Sequence, residues 1–314
     1  MHFLVTGGSG FIGSHVTEQL LAKGHRVTVV DNFTTGHLKN LPAHPHLRLL
    51  QKDVLACKPE DFPNSIDGVA HLAATPSVAH SWSAPLDAHQ NNLSATLHVI
   101  QLCRDLKVSR LVFASSAAVY GGQFTLPITE TQEAQPISPY GLQKLVSEQY
   151  GRLLAERFGF SFVALRLFNV FGERQLPTSE YSGVISIFTA AMQSNTAIAI
   201  YGDGTQTRDF VYVKDVAKAF ASALTIPIRL GAAIACNIGT GQSISLNQLV
   251  SSLREQFPDW QADVYFAPAR SGDIQHSRAD ISQAAAILGF APDWSVHSSI
   301  SMCIDGIKTR LAIL

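Results

Sequence analysis

Tyr140-Gly141-Leu142-Gln143-Lys144 sets a phenol and an ammonium four residues apart. On a helix, positions i and i+4 lie on one face, so the two groups can share a pocket. A phenol titrates near ~10 unperturbed, and a neighbouring cation favours its phenolate. Tyr140 is then a candidate general base, with Lys144 tuning it or holding a ribose. Alone, Tyr-x-x-x-Lys is a common accident on an exposed helix. A second segment narrows the choice. Ser115-Ser116-Ala117-Ala118-Val119-Tyr120-Gly121 follows a candidate strand at its carboxyl end, where ligands of open α/β sheets sit. Ser116 can hydrogen-bond a reacting hydroxyl or share a proton with Tyr140; the bland alternative makes both serines loop caps.

A third constellation opens the chain. Thr6-Gly7-Gly8-Ser9-Gly10-Phe11-Ile12-Gly13 stands between a candidate strand and a candidate helix. Glycines there permit a tight turn and a close approach of backbone to a pyrophosphate. The helix N-terminus adds free N–H groups and a positive dipole end. Asp31 follows eighteen residues after Gly13, close to the spacing of a ribose-binding carboxylate. An acid there accepts hydrogen bonds from ribose hydroxyls and repels a 2′-phosphate, which points to NAD rather than NADP. Asp53-Val54 follows the third candidate strand, where a carboxylate can meet the adenine amine. Leu72-Ala73-Ala74 follows the fourth, where small residues let a cofactor pass. Simple loop packing would also account for these last two.

These groups need elements to position them. Short apolar runs alternate with helical patterns, the βαβ signature of a parallel sheet. Strands are predicted at Phe3–Thr6, Arg26–Val30, Leu47–Leu50, Gly68–Leu72, Arg110–Ser115 and Phe160–Leu165. Ile12, Val16 and Leu20 mark the buried face of the first helix. A helix over Pro85–Lys107 is expected to bury Leu86, Leu93, Leu97 and Ile100. Another over Tyr140–Phe158 is expected to bury Leu145, Val146, Leu153 and Leu154. After residue 168 the pattern loosens into a smaller, loop-rich lobe. Asp209–Leu224 reads again as strand and helix, and Ala233–Ile238 as one more buried strand returning to the first sheet. The expected fold is α/β: a doubly wound parallel sheet (Rossmann) over residues 1–168, rejoined at about 209–240, with a smaller C-terminal substrate lobe from 169–208 and 241–314.

Composition excludes several classes. The chain has 314 residues, 46% of them hydrophobic and only 15% charged, which suits a sheet covered on both faces. Lys+Arg is 23 against Asp+Glu 24, so no basic surplus exists for a nucleic-acid backbone. No apolar stretch reaches membrane-spanning length, and the first residues do not read as a signal peptide. Cys57, Cys103, Cys236 and Cys303 form no Cys-x-x-Cys, which suits a reducing cytoplasm and no zinc site. His71, His80, His89 and His98 recur every nine residues, half a helical turn out of phase, so they do not converge on a metal. Trp82, Trp260 and Trp294 are expected to pack on the core or between the lobes.

Taken together, the segments TGGSGFIGSH, VVDN, HLAA, SSAAVYG, YGLQK, RLFNVFGERQ, YGDGTQTRDFVYVKDVA and SGDIQHSRAD resemble the extended short-chain dehydrogenase/reductase family over nearly the whole chain. They look most like its nucleotide-sugar 4-epimerases. The resemblance implies a catalytic set of Ser116, Tyr140 and Lys144. It implies a cofactor side of Gly7, Gly10, Phe11, Ile12, Gly13, Asp31, Asn32, Asp53, Val54, Leu72, Ala73, Ala74, Asn91 and Phe168, shared with Tyr140 and Lys144. Asn169, Arg208, Arg270 and Asp273 would face the nucleotide-sugar, beside Ser116. Pro76 departs from the pattern, standing where some members carry a cofactor-contacting lysine. The related 4,6-dehydratases typically carry Asp-Glu where this chain has Ala117-Ala118, which move no protons. Ser277, four residues beyond Asp273, stands where a tyrosine goes with hexose-only enzymes and a small residue with enzymes accepting N-acetylated sugars. The reading is an NAD-dependent 4-epimerase of a UDP-sugar, UDP-GlcNAc and UDP-GalNAc first, UDP-glucose and UDP-galactose also. Alternatives are a UDP-glucuronate 4-epimerase, a nucleotide-sugar dehydratase, or a non-catalytic NAD-binding regulator. Paired helices in the resembling family make a dimer contact, so a homodimer is expected, with Ala95, Leu102 and Leu153 as candidates for its face.

Overall fold

The computed structural model describes residues 1–62, 65–122, 125–175, 183–269, 274–294, 300 and 304. The elements run β1 (His2–Thr6), α1 (Phe11–Ala22), β2 (Arg26–Asp31), β3 (Leu47–Gln51), β4 (Gly68–His71), α2 (Val78–Ser83), α3 (Pro85–His89), α4 (Ala95–Asp105), β5 (Arg110–Ser116), α5 (Pro139–Phe158) and β6 (Ser161–Leu167). Then follow β7 (Asn169–Phe171), α6 (Val184–Gln193), β8 (Ile198–Tyr201), β9 (Thr207–Arg208), β10 (Phe210–Tyr212), α7 (Val213–Thr225), β11 (Ala233–Ile238), β12 (Ile244–Ser245), α8 (Leu246–Arg254), β13 (Val264–Ala267) and α9 (Ser282–Leu288).

Seven strands form one parallel sheet in the order β11-β6-β5-β4-β1-β2-β3. The order reverses between β1 and β4, which opens a crevice at their carboxyl ends. Central strands such as His2–Thr6 and Ser161–Leu167 are buried at every residue, as a sheet covered on both faces requires. One face packs α1 and α7, around Val16, Leu20, Val216 and Phe220. The other packs α4 and α5, around Val99, Leu102, Phe113 and Phe162. A third apolar cluster lies among α6, α8, β8 and β10, in the C-terminal part of the chain. There β7 pairs with β10, β8 with β13 and β9 with β12. The strand at 233–238 does rejoin the main sheet, beside β6.

Several expectations about the helices need correction. The segment from Pro85 is not one regular helix: a single π turn over Gln90–Ser94 separates α3 from α4. Leu86 is 85% exposed rather than buried, because α3 precedes that offset and turns this position outward. Leu153 of α5 is 54% exposed, and Leu145, Val146 and Leu154 are only half-buried. The inner face of α5 is instead polar and small: Tyr140, Gln143, Lys144, Ser147, Glu148 and Gly151. Ala95 and Leu102 lie inside the α4–α5 core, so neither forms an outer face. Trp82 is 63% exposed, whereas Trp260 is buried and Trp294 packs edge-on against Tyr212.

Candidate active site

At the first βα turn, a Cβ on Gly13 would lie 2.0 Å from the Gly7 carbonyl oxygen. The turn therefore closes only with glycine there, and its backbone lines the crevice. Gly10 caps α1 without a side-chain hydrogen bond, and the first turn holds no acid. The first N–H groups of α1 are thus open to an anion. Asp31 ends β2 and is buried. Its Oδ2 accepts from the Ser9 amide at 2.9 Å and its Oδ1 from the Phe33 amide at 2.8 Å. These bonds fix the carboxylate and leave lone pairs for ribose hydroxyls. Next to it, Asn32 Nδ2 donates to Asp53 Oδ2 at 2.9 Å, and the Leu55 amide donates to Asp53 Oδ1 at 2.8 Å.

At the other end, Ser138 caps α5 and Pro139 occupies its first turn. A Cβ on Gly141 would lie 2.5 Å from the Ala118 carbonyl oxygen. That glycine lets the start of α5 press against the turn after β5, which brings Tyr140 to Ser116. Ser116 hydrogen-bonds the Tyr140 hydroxyl, and its Oγ accepts from the Ala118 amide at 3.1 Å. Lys144 Nζ donates to the Ala114 carbonyl at 2.8 Å. It lies 4.7 Å from the Phe113 ring centroid and 5.8 Å from that of Tyr140. Burial pushes the phenol up to about 12, against the opposing Ser116 bond. Burial pulls the ammonium down to about 8, against the opposing Glu148 charge. Desolvation of the enclosed phenol thus dominates when the ring stands without a further charge beside it. Any further cation beside the ring would pull the phenol back down.

Both ends belong to one cavity of about 490 Å³. Every residue expected on the cofactor side lines it, from Gly7, Gly10, Phe11, Ile12 and Gly13 through Asp31, Asn32, Asp53 and Val54 to Leu72, Ala73, Ala74, Asn91 and Phe168. Ser116, Tyr140, Lys144 and Asn169 share it. Among the described lining residues the only carboxylates are Asp31 and Asp53, both far from Ser116 along the chain of strands. Arg208 and Ser277 are not among the lining residues. Arg208 donates to the Thr207 carbonyl at 2.9 Å, and buried Ser277 bonds through its amide to Thr207. Arg270 and Asp273 lie outside the described residues.

Sequence reading missed Asn92. Its Oδ1 accepts from the Thr75 amide and its Nδ2 donates to Gln143 Oε1, both at 2.8 Å, tying the loop after β4 to α5. The π turn makes this possible by setting neighbouring Asn91 toward the cavity and Asn92 inward. Arg174 and Gln175 also line the cavity unforeseen. A cation just past the carboxyl end of a strand was the available signal. His71, by contrast, is a core residue: Thr6 and Thr96 take its two nitrogens at 2.7 and 3.1 Å, and burial pulls its pKa to about 3.

The cavity fits a dinucleotide: a glycine cradle under a helix N-terminus, a fixed carboxylate at one end, and a phenol–ammonium pair at the other. The comparisons agree. Residues 3–239 match the family described as "NAD dependent epimerase/dehydratase family". A putative UDP-glucose 4-epimerase of Methanocaldococcus jannaschii is 36% identical, with 98% of each chain covered. The structure of UDP-N-acetylglucosamine 4-epimerase from Methanobrevibacter ruminantium, with UDP-N-acetylmuramic acid, superimposes with a TM-score of 0.93 at 36% identity, covering 98% of each chain. That of UDP-glucuronic acid 4-epimerase from Bacillus cereus, with UDP-glucuronic acid and NAD, gives 0.90 at 30% identity, covering 99% of this chain and 100% of that one. A match over three quarters of the chain, to a family defined by the cofactor its cavity fits, makes this protein an enzyme of the NAD-dependent epimerase/dehydratase family with NAD as its cofactor.

Proposed function

We propose that the enzyme is a UDP-sugar 4-epimerase, acting first on a UDP-N-acetylhexosamine and interconverting UDP-GlcNAc and UDP-GalNAc. The observation that carries this is the joining of Ser116 and Tyr140, beside Lys144, with Ala117-Ala118 where a dehydrating enzyme needs an acid and a base. Gly7, Gly10–Gly13, Asp31 and Asn32 would hold NAD, with Lys144 at the nicotinamide ribose. When bound, NAD supplies a reversible hydride acceptor at C4 of the sugar. Tyr140 takes the C4 hydroxyl proton and later returns it. Ser116 donates a hydrogen bond to the oxygen as charge develops there. Asn169, Arg208, Arg270 and Asp273 would bind the nucleotide-sugar; the arginine forks suit a diphosphate. The domain division at 168, with the return at about 209–240, is part of the same proposal. Purified protein incubated with UDP-sugars, and its products separated, tests the reading. Interconversion of C4 epimers without added cofactor is expected; dehydrated product, or none, would sink it. The Bacillus cereus neighbour makes UDP-glucuronate the second substrate to try.

The resemblance, rather than the cavity lining, points to Ser277 for the N-acetylated choice, a small side chain standing where a tyrosine goes with hexose-only enzymes. Ser277→Tyr should depress the UDP-GlcNAc reaction about tenfold or more relative to that of UDP-glucose, the size of a steric discrimination. Equal loss on both sugars, or none, would remove Ser277 as the gate.

We propose also a homodimer, working in the cytoplasm. Three described cysteines are buried thiols, in keeping with a reducing compartment. Among the described residues no helix is long and apolar enough to cross a membrane. Leu142, Tyr150 and Leu153 stand exposed along one side of α5, with Val78, Trp82 and Leu86 exposed on α2 and α3, which pack beside it. Such a patch is costly to leave in water. Light scattering should give about twice the 33.9 kDa chain mass at micromolar concentration; a mass near 33.9 kDa throughout would refute the dimer.

A further inference from the structure

Arg174 has no part in the reading above, yet four observations single it out. Its backbone is left-handed, with φ of 71°, a conformation that strains a non-glycine residue and collects at functional sites. Its guanidinium is held: Nη2 donates to Glu18 Oε1 of α1 at 2.5 Å. Its other terminal nitrogen, Nη1, is buried and has no hydrogen-bond partner among the described residues. The side chain also lines the same cavity as the open first turn of α1.

The segment that carries Arg174 is pinned on both sides. Glu173 accepts from the Tyr212 hydroxyl at 2.6 Å and pairs with Lys214 at 3.1 Å, while its carbonyl meets His15 Nε2 of α1 at 3.1 Å. Gln175 Oε1 accepts from Ser186 Oγ at 2.7 Å. The left-handed backbone is therefore maintained by its neighbours, and the guanidinium is aimed before any ligand arrives. Three cations line the cavity among the described residues. Lys52 is tied to Asp61 at 2.6 Å, and Lys144 to the Ala114 carbonyl beneath Tyr140. Of these, Arg174 alone has a buried nitrogen with no hydrogen-bond partner among the described residues.

A buried N–H of a charged group is costly unless a bound anion completes it. The α1 N-terminus, with uncapped N–H groups, favours an anion in the same cavity. One arginine fork plus a row of backbone amides matches a group with several charged oxygens on adjacent phosphorus atoms. We propose that Arg174 is a diphosphate-binding residue, whose Nη1 donates to the diphosphate of a nucleotide seated at the N-terminus of α1. The dinucleotide cofactor and the nucleotide-sugar both carry this chemistry, and binding measurements separate them.

The test is calorimetric titration of Arg174→Gln and the wild-type enzyme, both freed of cofactor, with NAD, ADP, adenosine and UDP, together with the NAD retained on purification. Affinity for NAD and ADP should fall about ten- to hundredfold, the size of a lost charge-assisted hydrogen bond, with adenosine unchanged and less NAD retained. A fall for UDP instead, with NAD unchanged, would assign the same role toward the nucleotide-sugar. If Arg174→Gln does not fold, Arg174→Lys serves: it keeps a charge beside Glu18 but loses the second arm of the fork, and a smaller loss with the same ligand pattern is expected. The proposal is overturned if adenosine weakens as much as ADP, or if no diphosphate ligand weakens.

Discussion

Tyr140→Phe should lower turnover by about 10²–10⁴, the usual size of a general acid–base contribution, while NAD stays bound. The substitution keeps the ring, its place beside Lys144 and the packing of the first turn of α5, and removes only the hydroxyl that meets Ser116. The expected size follows from the site's electrostatics. Burial, against the opposing Ser116 bond, holds the phenol near 12, so at neutral pH the resting enzyme carries a protonated Tyr140. Proton transfer becomes favourable only when a cation and a hydroxyl are bound against it. Lys144, pulled by burial to about 8, loses its own charge as the pH rises through that value. Its support of the phenolate is therefore full only well below pH 8 and is lost as the pH rises through that value. Steady-state kinetics with UDP-GlcNAc, alongside spectrophotometric quantitation of retained NAD, measures both quantities. Near-normal turnover in the variant would take Tyr140 out of the mechanism.

Arg166→Met should destabilise the fold by about 3–5 kcal/mol. Arg166 of β6 and Glu148 of α5 form an ion pair at 2.7 Å, each side chain only 9% exposed. Ser115 Oγ donates to the same carboxylate. Arg166 Nη1 donates to the Tyr120 hydroxyl at 2.9 Å, which donates in turn to Asn237 Oδ1 of β11 at 2.6 Å. The network thus ties α5 to three neighbouring strands directly under Ser116 and Lys144. Removing the guanidinium strands a buried carboxylate, and that stranding is the larger part of the cost. Arg166→Met with Glu148→Leu removes both charges, and should recover much of the loss because the pair's own net worth is small. Equilibrium denaturation in urea gives the comparison. A single variant as stable as the wild type, or a double variant no better than the single, would contradict this account.

How much of this was legible beforehand depended on whether the signal was local. The strands were, because a parallel sheet covered on both faces needs unbroken apolar runs, and Phe3–Val5 or Phe162–Leu165 supplies them without reference to anything else. The glycine turn was legible for the same reason: Gly13 is demanded by its own neighbour Gly7, six residues away. Tyr140 and Lys144 are one helical turn apart, so their shared face is a property of the helix alone. Ser116 sits at a strand end, where the fold class places ligands.

The buried faces of the helices were decided elsewhere. On α5, apolar spacing pointed to Leu153 and Leu154, but the helix turns Lys144, Ser147 and Glu148 inward because Arg166, Ser115 and the Ala114 carbonyl stand opposite to pair with them. Apolar periodicity cannot report a face that is buried through polar partners. Asn92 and Arg174 escaped for a related reason: a π turn and a left-handed residue are held by distant contacts, to Gln143 and Glu18, rather than by local propensity. The sheet, the glycine turn and the shared face of Tyr140 and Lys144 could be read in advance because each is written within a single element. Which charges meet across elements could not, because a side chain's cost of burial is set by the partner that the fold brings to it.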